Sequence, residues 1–135
     1  MSQPRTHLGI DRSLCGEPIE LSEGRAVVAL ATSSRMAADA HGLVHGGFVF
    51  GAADYAAMLA VNDPNVVLGG SEVRFLAPVR LGDKVICTAT VAGEKGRKRV
   101  VEVSCTVGDT VVVSGTLTCF VLDQHVLEPT PATTG

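Results

Sequence analysis

The residues of this chain whose types and spacing could do chemistry lie in the segment His41-Gly42-Leu43-Val44-His45-Gly46-Gly47-Phe48-Val49-Phe50-Gly51-Ala52-Ala53-Asp54. Gly46 and Gly47 stand where an apolar helical run begins, so their backbone N–H groups are among the first-turn donors without an intrahelical acceptor. Lacking Cβ atoms, they let a carbonyl oxygen approach the backbone. Charge developing on that oxygen would be stabilised by the N–H groups and the helix dipole. Asp54 is the only carboxylate between Asp39 and Asp63. Set among Ala53, Tyr55, Ala57 and Met58, it needs a structural hydrogen bond or a functional role, because a buried unpaired carboxylate is costly or takes up a proton. Seven positions separate Gly47 from Asp54. That spacing puts both on one helix face, about 10 Å apart along the axis at ~1.5 Å per residue. A base or nucleophile must come within about 3 Å of its target. One carbonyl therefore cannot meet both within a single chain, and Asp54 of one subunit must face the glycine N–H groups of a second, oppositely running helix.

The elements that must position these residues follow from periodicity. Residues 47–61 are almost all apolar or small and leave no polar face, the pattern of a helix surrounded by protein. Asn62-Asp63-Pro64-Asn65 stops it, since proline disfavours helical geometry before it and Asn and Asp favour turns. Ahead of the helix, Arg25–Ala31 reads as a strand closed by Thr32-Ser33-Ser34. After it, residues 66–76, 84–92, 97–107 and 111–122 are rich in Val, Ile and Thr and separated by glycine-bearing turns, as in an antiparallel meander. Gly93-Glu94-Lys95-Gly96 is expected as a four-residue hairpin loop, Gly108-Asp109 as a two-residue type II′ turn, and Leu81-Gly82-Asp83 as the remaining corner. A sheet curled around a helix covers it on one side only. The small residues Gly51, Ala52, Ala53, Ala56, Ala57 and Ala60 make a partner subunit the expected cover of the other.

Composition narrows the function classes. With 135 residues, 46% hydrophobic and 19% charged, the chain fits one globular domain rather than a disordered one. A net charge of −3 supplies no general attraction to nucleic acid or anionic lipid, and no apolar run approaches the ~20 residues of a membrane span. Cys15, Cys87, Cys105 and Cys119 are widely spaced, without a Cys-x-x-Cys pair, and the start lacks a signal-peptide pattern. They are read as reduced thiols of a cytoplasmic protein, three of them buried in strands. His41 and His45 are four apart, but the adjoining glycines argue against a helix holding both toward a metal.

His45-Gly46-Gly47 with an acidic residue nine positions after the His resembles the hotdog-fold acyl-CoA thioesterases, in particular the phenylacetyl-CoA thioesterase branch. The run Val73-Arg74-Phe75-Leu76-Ala77-Pro78-Val79-Arg80-Leu81-Gly82-Asp83 is similar to that family's strand, Pro-containing kink and Gly-Asp corner, so the resemblance spans about residues 25 to 122. It implies an α+β hotdog fold, an antiparallel five- to six-stranded sheet wrapped around a central apolar helix. The domain would occupy 19–127, between a loosely ordered segment 1–18 and a disordered tail 128–135. It further implies Asp54 as nucleophile or general base on an acyl-CoA thioester, with Gly46 and Gly47 N–H groups polarising the carbonyl and His45 setting the loop or touching substrate. Phe48, Phe50, Met58 and Val61 are candidates for lining an acyl pocket, Phe50 and Met58 foremost, although apolar residues on a buried helix are equally expected as plain core. Ser71 is the candidate for orienting water. Arg97 and Lys98, in the basic cluster 95–99, are candidates for attracting CoA phosphates. No cofactor and no metal are implied, and the expected assembly is a homodimer or homotetramer with a shared site.

The chain departs from family patterns where some members carry an Asn ahead of His-Gly-Gly; Asp39 and His41 stand in that region here. Two other functions compete. A hotdog dehydratase or hydratase pairs a His with a Glu or Asp, which Asp39 with His45 matches only loosely, and no Glu occurs between Glu23 and Glu72. A non-catalytic module would bind acyl-CoA as a sensor or carrier.

Overall fold

The computed structural model describes residues 2–128. Its elements are α1 (Arg12–Cys15), β1 (Glu17–Ser22), β2 (Arg25–Ala31), a 3-10 turn (Ser34–Met36), α2 (Gly46–Val61), β3 (Val66–Phe75), β4 (Lys84–Lys95), β5 (Lys98–Val107) and β6 (Thr110–Val121). All strand pairs are antiparallel, in the order β1-β2-β4-β5-β6-β3. With α2 packed mainly on β2, β4 and β5, this is the α+β hotdog architecture.

α2 begins one residue earlier than the apolar run suggests and ends where expected. Asn62 adopts the left-handed conformation at φ 52°, which Asn tolerates better than most residues, and returns its N–H to Met58 O. Asp63 Oδ1 then accepts Asn65 N–H and closes the turn. The alanines of α2 let strand side chains come close. Ala52, Ala53, Ala56, Leu59 and Ala60 are at most 2% exposed, against Val28, Leu30, Val85, Cys87, Val101, Cys105 and Leu117, all at 0%. Each fully buried Leu or Val contributes about 1.5–3 kcal/mol relative to leaving it in water.

Three expectations are corrected. The meander covers only β4, β5 and β6, because β3 crosses to the far edge and pairs with β6 alone. The eight residues 76–83, with Pro78, are too long for a tight hairpin. They carry the chain across the sheet, held by the Leu43–Arg80 bridge, Leu81 N–H to Gly42 O and Gly82 N–H to Thr32 Oγ1. The β4–β5 turn is the two-residue Gly96-Arg97, with Lys95 opposite Lys98 and Gly93 displaced into a strand irregularity; Gly96 supplies the positive φ of 58°. Gly108-Asp109 forms the expected two-residue turn, with φ positive at Gly108 only.

Third, the segment 1–18 is tied down where a loose one was expected. Asn62 Oδ1 accepts Arg5 N–H, Asn62 Nδ2 donates to Gln3 O, Thr6 is 5% exposed, and α1 precedes an edge strand starting at Glu17. β1 hides from periodicity because an edge strand needs few anchors. Only Leu21 of its six residues is buried, and Pro18 sits at the irregularity in its register. The expected tail 128–135 lies, apart from Glu128, outside the described residues. At the other edge, Gly115 lets β6 and β3 pack tightly, since a Cβ there would collide with Glu72 O and the Val73 backbone.

Candidate active site

The loop before α2 is built from backbone bonds. Asp39 Oδ1 accepts the N–H groups of His41 and Leu43, Val44 N–H bonds Val79 O, and His45 N–H bonds Met36 O. Asp39 Oδ1 is thereby occupied in capping the loop. His45 is the N-cap residue, exposed, and makes no side-chain capping bond. Its ring meets Phe48 edge to face, with centroids 6.2 Å apart. Gly46 and Gly47 follow as the first two helical residues, and neither N–H has an acceptor among the described residues. Side chains would obstruct both. A Cβ on Gly46 would lie 3.2 Å from Phe75 Cε1, and one on Gly47 would lie 3.0 Å from His45 Nε2.

Asp54 lies two turns further on. It is half-buried, and its Oδ1 is fully enclosed without a hydrogen-bond partner among the described residues. Desolvation pushes the carboxyl pKa up from its ordinary 3.8. The charge is felt nearby: burial first, then Asp54, push the Cys119 thiol up to about 11, and burial, Asp11 and Asp54 raise that of Cys15. Gly47, Phe50, Gly51 and Asp54, at helical spacings of three and four, are the less buried stripe of α2. A Cβ on Gly51 would meet nothing within 4 Å.

The remaining candidates divide. Phe50 lies on the open stripe, whereas Met58 is 1% exposed and packed in the core, so of the two readings of Met58 the structure gives plain core. Ser71 is exposed on β3 opposite the buried Leu117, hence on the helix side of the sheet. Arg97 and Lys98 lie at the β4–β5 turn, near the C-terminal end of α2 and away from their own Gly46. Arg97 O accepts Val121 N–H, and the Arg97 side chain pairs with Asp123. Among the described residues no three metal-ligating side chains cluster, and no helix is long and apolar enough to cross a membrane.

Sequence reasoning passed over Phe75 and its neighbours. Leu43, Gly46, Val49, Phe75, Leu76 and Pro78 border a groove of about 420 Å³ at the start of α2. Its signal is the break in strand alternation at 75–79, where five consecutive apolar residues stand.

This fold, with a glycine-initiated helix and a half-buried carboxylate on it, agrees with the family model of the thioesterase superfamily, which matches residues 41–114. The chain belongs to that superfamily. Within it the chain groups with the PaaI-like branch: Escherichia coli PaaI, from the phenylacetic acid degradation operon, is 25% identical with a TM-score of 0.77 over 84% of each chain. The uncharacterised protein PH1136 of Pyrococcus horikoshii is 50% identical, with a TM-score of 0.93, over 94% of this chain and 98% of that one. Among curated relatives, methylthioribose-1-phosphate isomerase of Aquifex aeolicus is 54% identical over 89% of this chain but 26% of its own length. An (R)-specific enoyl-CoA hydratase of Rhodospirillum rubrum is 35% identical over 61% of this chain and 56% of its own. Transcription factor FapR of Caldanaerobacter subterraneus is 25% identical over 92% of this chain and 62% of its own. The chain thus spans from about a quarter to three-fifths of these curated relatives.

Proposed function

We propose that the protein hydrolyses acyl-CoA thioesters at a site shared by two copies. The observation that carries this reading is the enclosed Asp54 Oδ1, unpaired among the described residues, on the same open stripe as Gly47, with Phe50 and the bare helix at Gly51 between them. In an antiparallel pair of α2 helices, Asp54 of one copy faces Gly46 and Gly47 of the other, and the two-fold axis passes near the middle of the span 47–54, beside Phe50 and Gly51. Gly51 lets the helices approach there. β3 supports the same assembly, since its ten residues leave one backbone edge unpaired within the chain.

In the reaction the thioester carbonyl accepts hydrogen bonds from Gly46 N–H and Gly47 N–H. Asp54 either draws a proton from the attacking water or attacks the carbonyl carbon itself, giving an anhydride that water then opens. The oxyanion collapses, the C–S bond breaks, and the CoA thiolate leaves and takes up a proton. In this reading Ser71 holds the water, His45 borders the substrate, and Arg97 and Lys98 of the facing copy attract CoA phosphates. The protein acts in the cytoplasm, with reduced thiols. Thiol release from an acyl-CoA panel tests the reading. Wild type should turn over, Asp54→Asn should not, and full activity in that variant, or a strictly monomeric active protein, sinks it.

The match along 92% of this chain of a protein named as a transcription factor, FapR, favours a second, non-catalytic reading, in which the same site binds an acyl-CoA without hydrolysing it. Tight acyl-CoA binding without thiol release across the panel selects it.

A further inference from the structure

Cys87 and Cys105 stand directly opposite each other in the β4–β5 ladder. Burial alternates along both strands and puts Val85, Cys87 and Ala89 of β4, and Val101, Val103 and Cys105 of β5, on the side that meets α2. Both thiols therefore project the same way, and both residues are fully buried. Their remaining cross-strand neighbours are Val28 and Val113, so the sulfur opposite each is the other. The Cys105 thiol first, then burial, pushes the Cys87 thiol far above its ordinary range, which keeps it protonated while the strands are closed. Cys119 differs. It faces Arg99 on β5 and Leu68 on β3, with no thiol opposite. Cys15 is half-buried at the end of α1.

Taken singly, a buried cysteine is a small hydrophobe. Two in register can also form a bond. Directly opposed residues of an antiparallel pair have Cα atoms about 4.5–5.5 Å apart, inside the roughly 4.4–6.8 Å that a disulfide spans. Their Cβ atoms, about 4.5–5.5 Å apart, need to approach by only about 1 Å. We propose that Cys87 and Cys105 form a redox site, which closes to an intrachain disulfide by exchange with a low-molecular-weight disulfide and fastens β4 to β5 beneath α2. When the strands part, the Cys87 thiolate attacks the small disulfide, giving a mixed disulfide and one free thiol. The Cys105 thiolate then attacks Cys87 Sγ and expels the second thiol. Two protein thiols are oxidised, the small disulfide is reduced to two thiols, and the two protons pass to the leaving thiolates. The bond joins positions 18 apart in the chain, so it removes conformational freedom from the unfolded state. None of this depends on the thioesterase reading, because both cysteines lie on the packed side of α2, away from its open stripe.

The test uses the 135-residue chain carrying Cys15→Ala, which removes the half-buried thiol. The protein is equilibrated with oxidised or with reduced glutathione in low urea, so that the strands open and reclose, then freed of urea, alkylated and mapped by peptide mass spectrometry. The oxidised sample should lose two of its three remaining thiols to a bond between 87 and 105, without retained glutathione. Its Tm should rise by about 5–10 °C. Dithiothreitol in urea should return it to the reduced value. Cys87→Ala and Cys105→Ala, each added to Cys15→Ala, should abolish the rise; where either fails to fold, the bond map and Tm of the parent chain in its two redox states still decide. Three free thiols after oxidation, glutathione held stably at 87 or 105, a bond to Cys119, or a bond without a higher Tm overturns the proposal.

Discussion

The two sides of α2 are made from similar residues and have opposite fates. Toward the sheet, Ala52, Ala53, Ala56, Leu59 and Ala60 are sealed against β2, β4 and β5. On the other side Gly47, Phe50, Gly51 and Asp54 stay partly open, and the stripe carries the helix's only ionisable carboxylate, enclosed yet unpaired at Oδ1. The packed side has converted its side chains into stability. The open side keeps an unsatisfied group and bare backbone, which lower stability and are useful only if something else comes to meet them. A helix that is apolar all round thus need not be buried by its own chain.

That contrast can be broken experimentally, beginning with the largest effect. Asp54→Asn should cut kcat by about 10³-fold, within the range for losing a general base, while circular dichroism and dimer mass stay unchanged. Wild-type kcat/KM should also rise with pH through the raised Asp54 pKa, because only the carboxylate can accept a proton or attack. On the packed side, Leu59→Ala should cost about 2–5 kcal/mol in urea unfolding. A cost as small as that of a surface substitution would show that the two sides are not energetically distinct.

Gly51→Leu should leave the fold of the single chain intact but shift sedimentation toward monomer, with activity falling in step. A fully active dimer in this variant would remove the helix crossing from the shared site. A smaller effect concerns stability. Because burial raises the Asp54 pKa in the folded state, the native protein binds this proton more tightly than the unfolded chain, so the penalty for ionising it is present above the folded pKa. It disappears as pH falls through that value toward the ordinary 3.8. Asp54→Asn should therefore raise Tm by roughly 2–4 °C at pH 7, with no gain near pH 3; solvent screening of a half-buried group keeps the effect near or below about 1 kcal/mol. The smallest change is expected from Arg97→Ala. Its exposed pair with Asp123 should matter by less than about 0.5 kcal/mol, and KM for CoA esters should rise no more than about threefold.

Much of this was legible in the sequence. The strand Arg25–Ala31 has the bounds its apolar run suggested, and α2 ends at Val61 because Asn62 and Pro64 leave no other choice. The glycines at the start of α2 and the lone carboxylate two turns later stand out by type and spacing alone. β1 did not, because one buried Leu in six residues carries no period. Nor did the departure of β3 from the meander, since strand order depends on where the crossing 76–83 lands. Met58 and Phe50 looked alike as apolar helical residues, and only packing sent one into the core and the other to the open stripe.

The sequence by itself determined which residues are chemically equipped and that one helix carries them, because local periodicity, breakers and side-chain chemistry are properties of neighbouring residues. Only the tertiary structure decided that Asp54 Oδ1 has no hydrogen-bond partner among the described residues, that Asp39 Oδ1 is already used by its loop, and that Phe75 lies against Gly46. Each of these depends on contacts between segments far apart in the chain, and those distances are set by the fold.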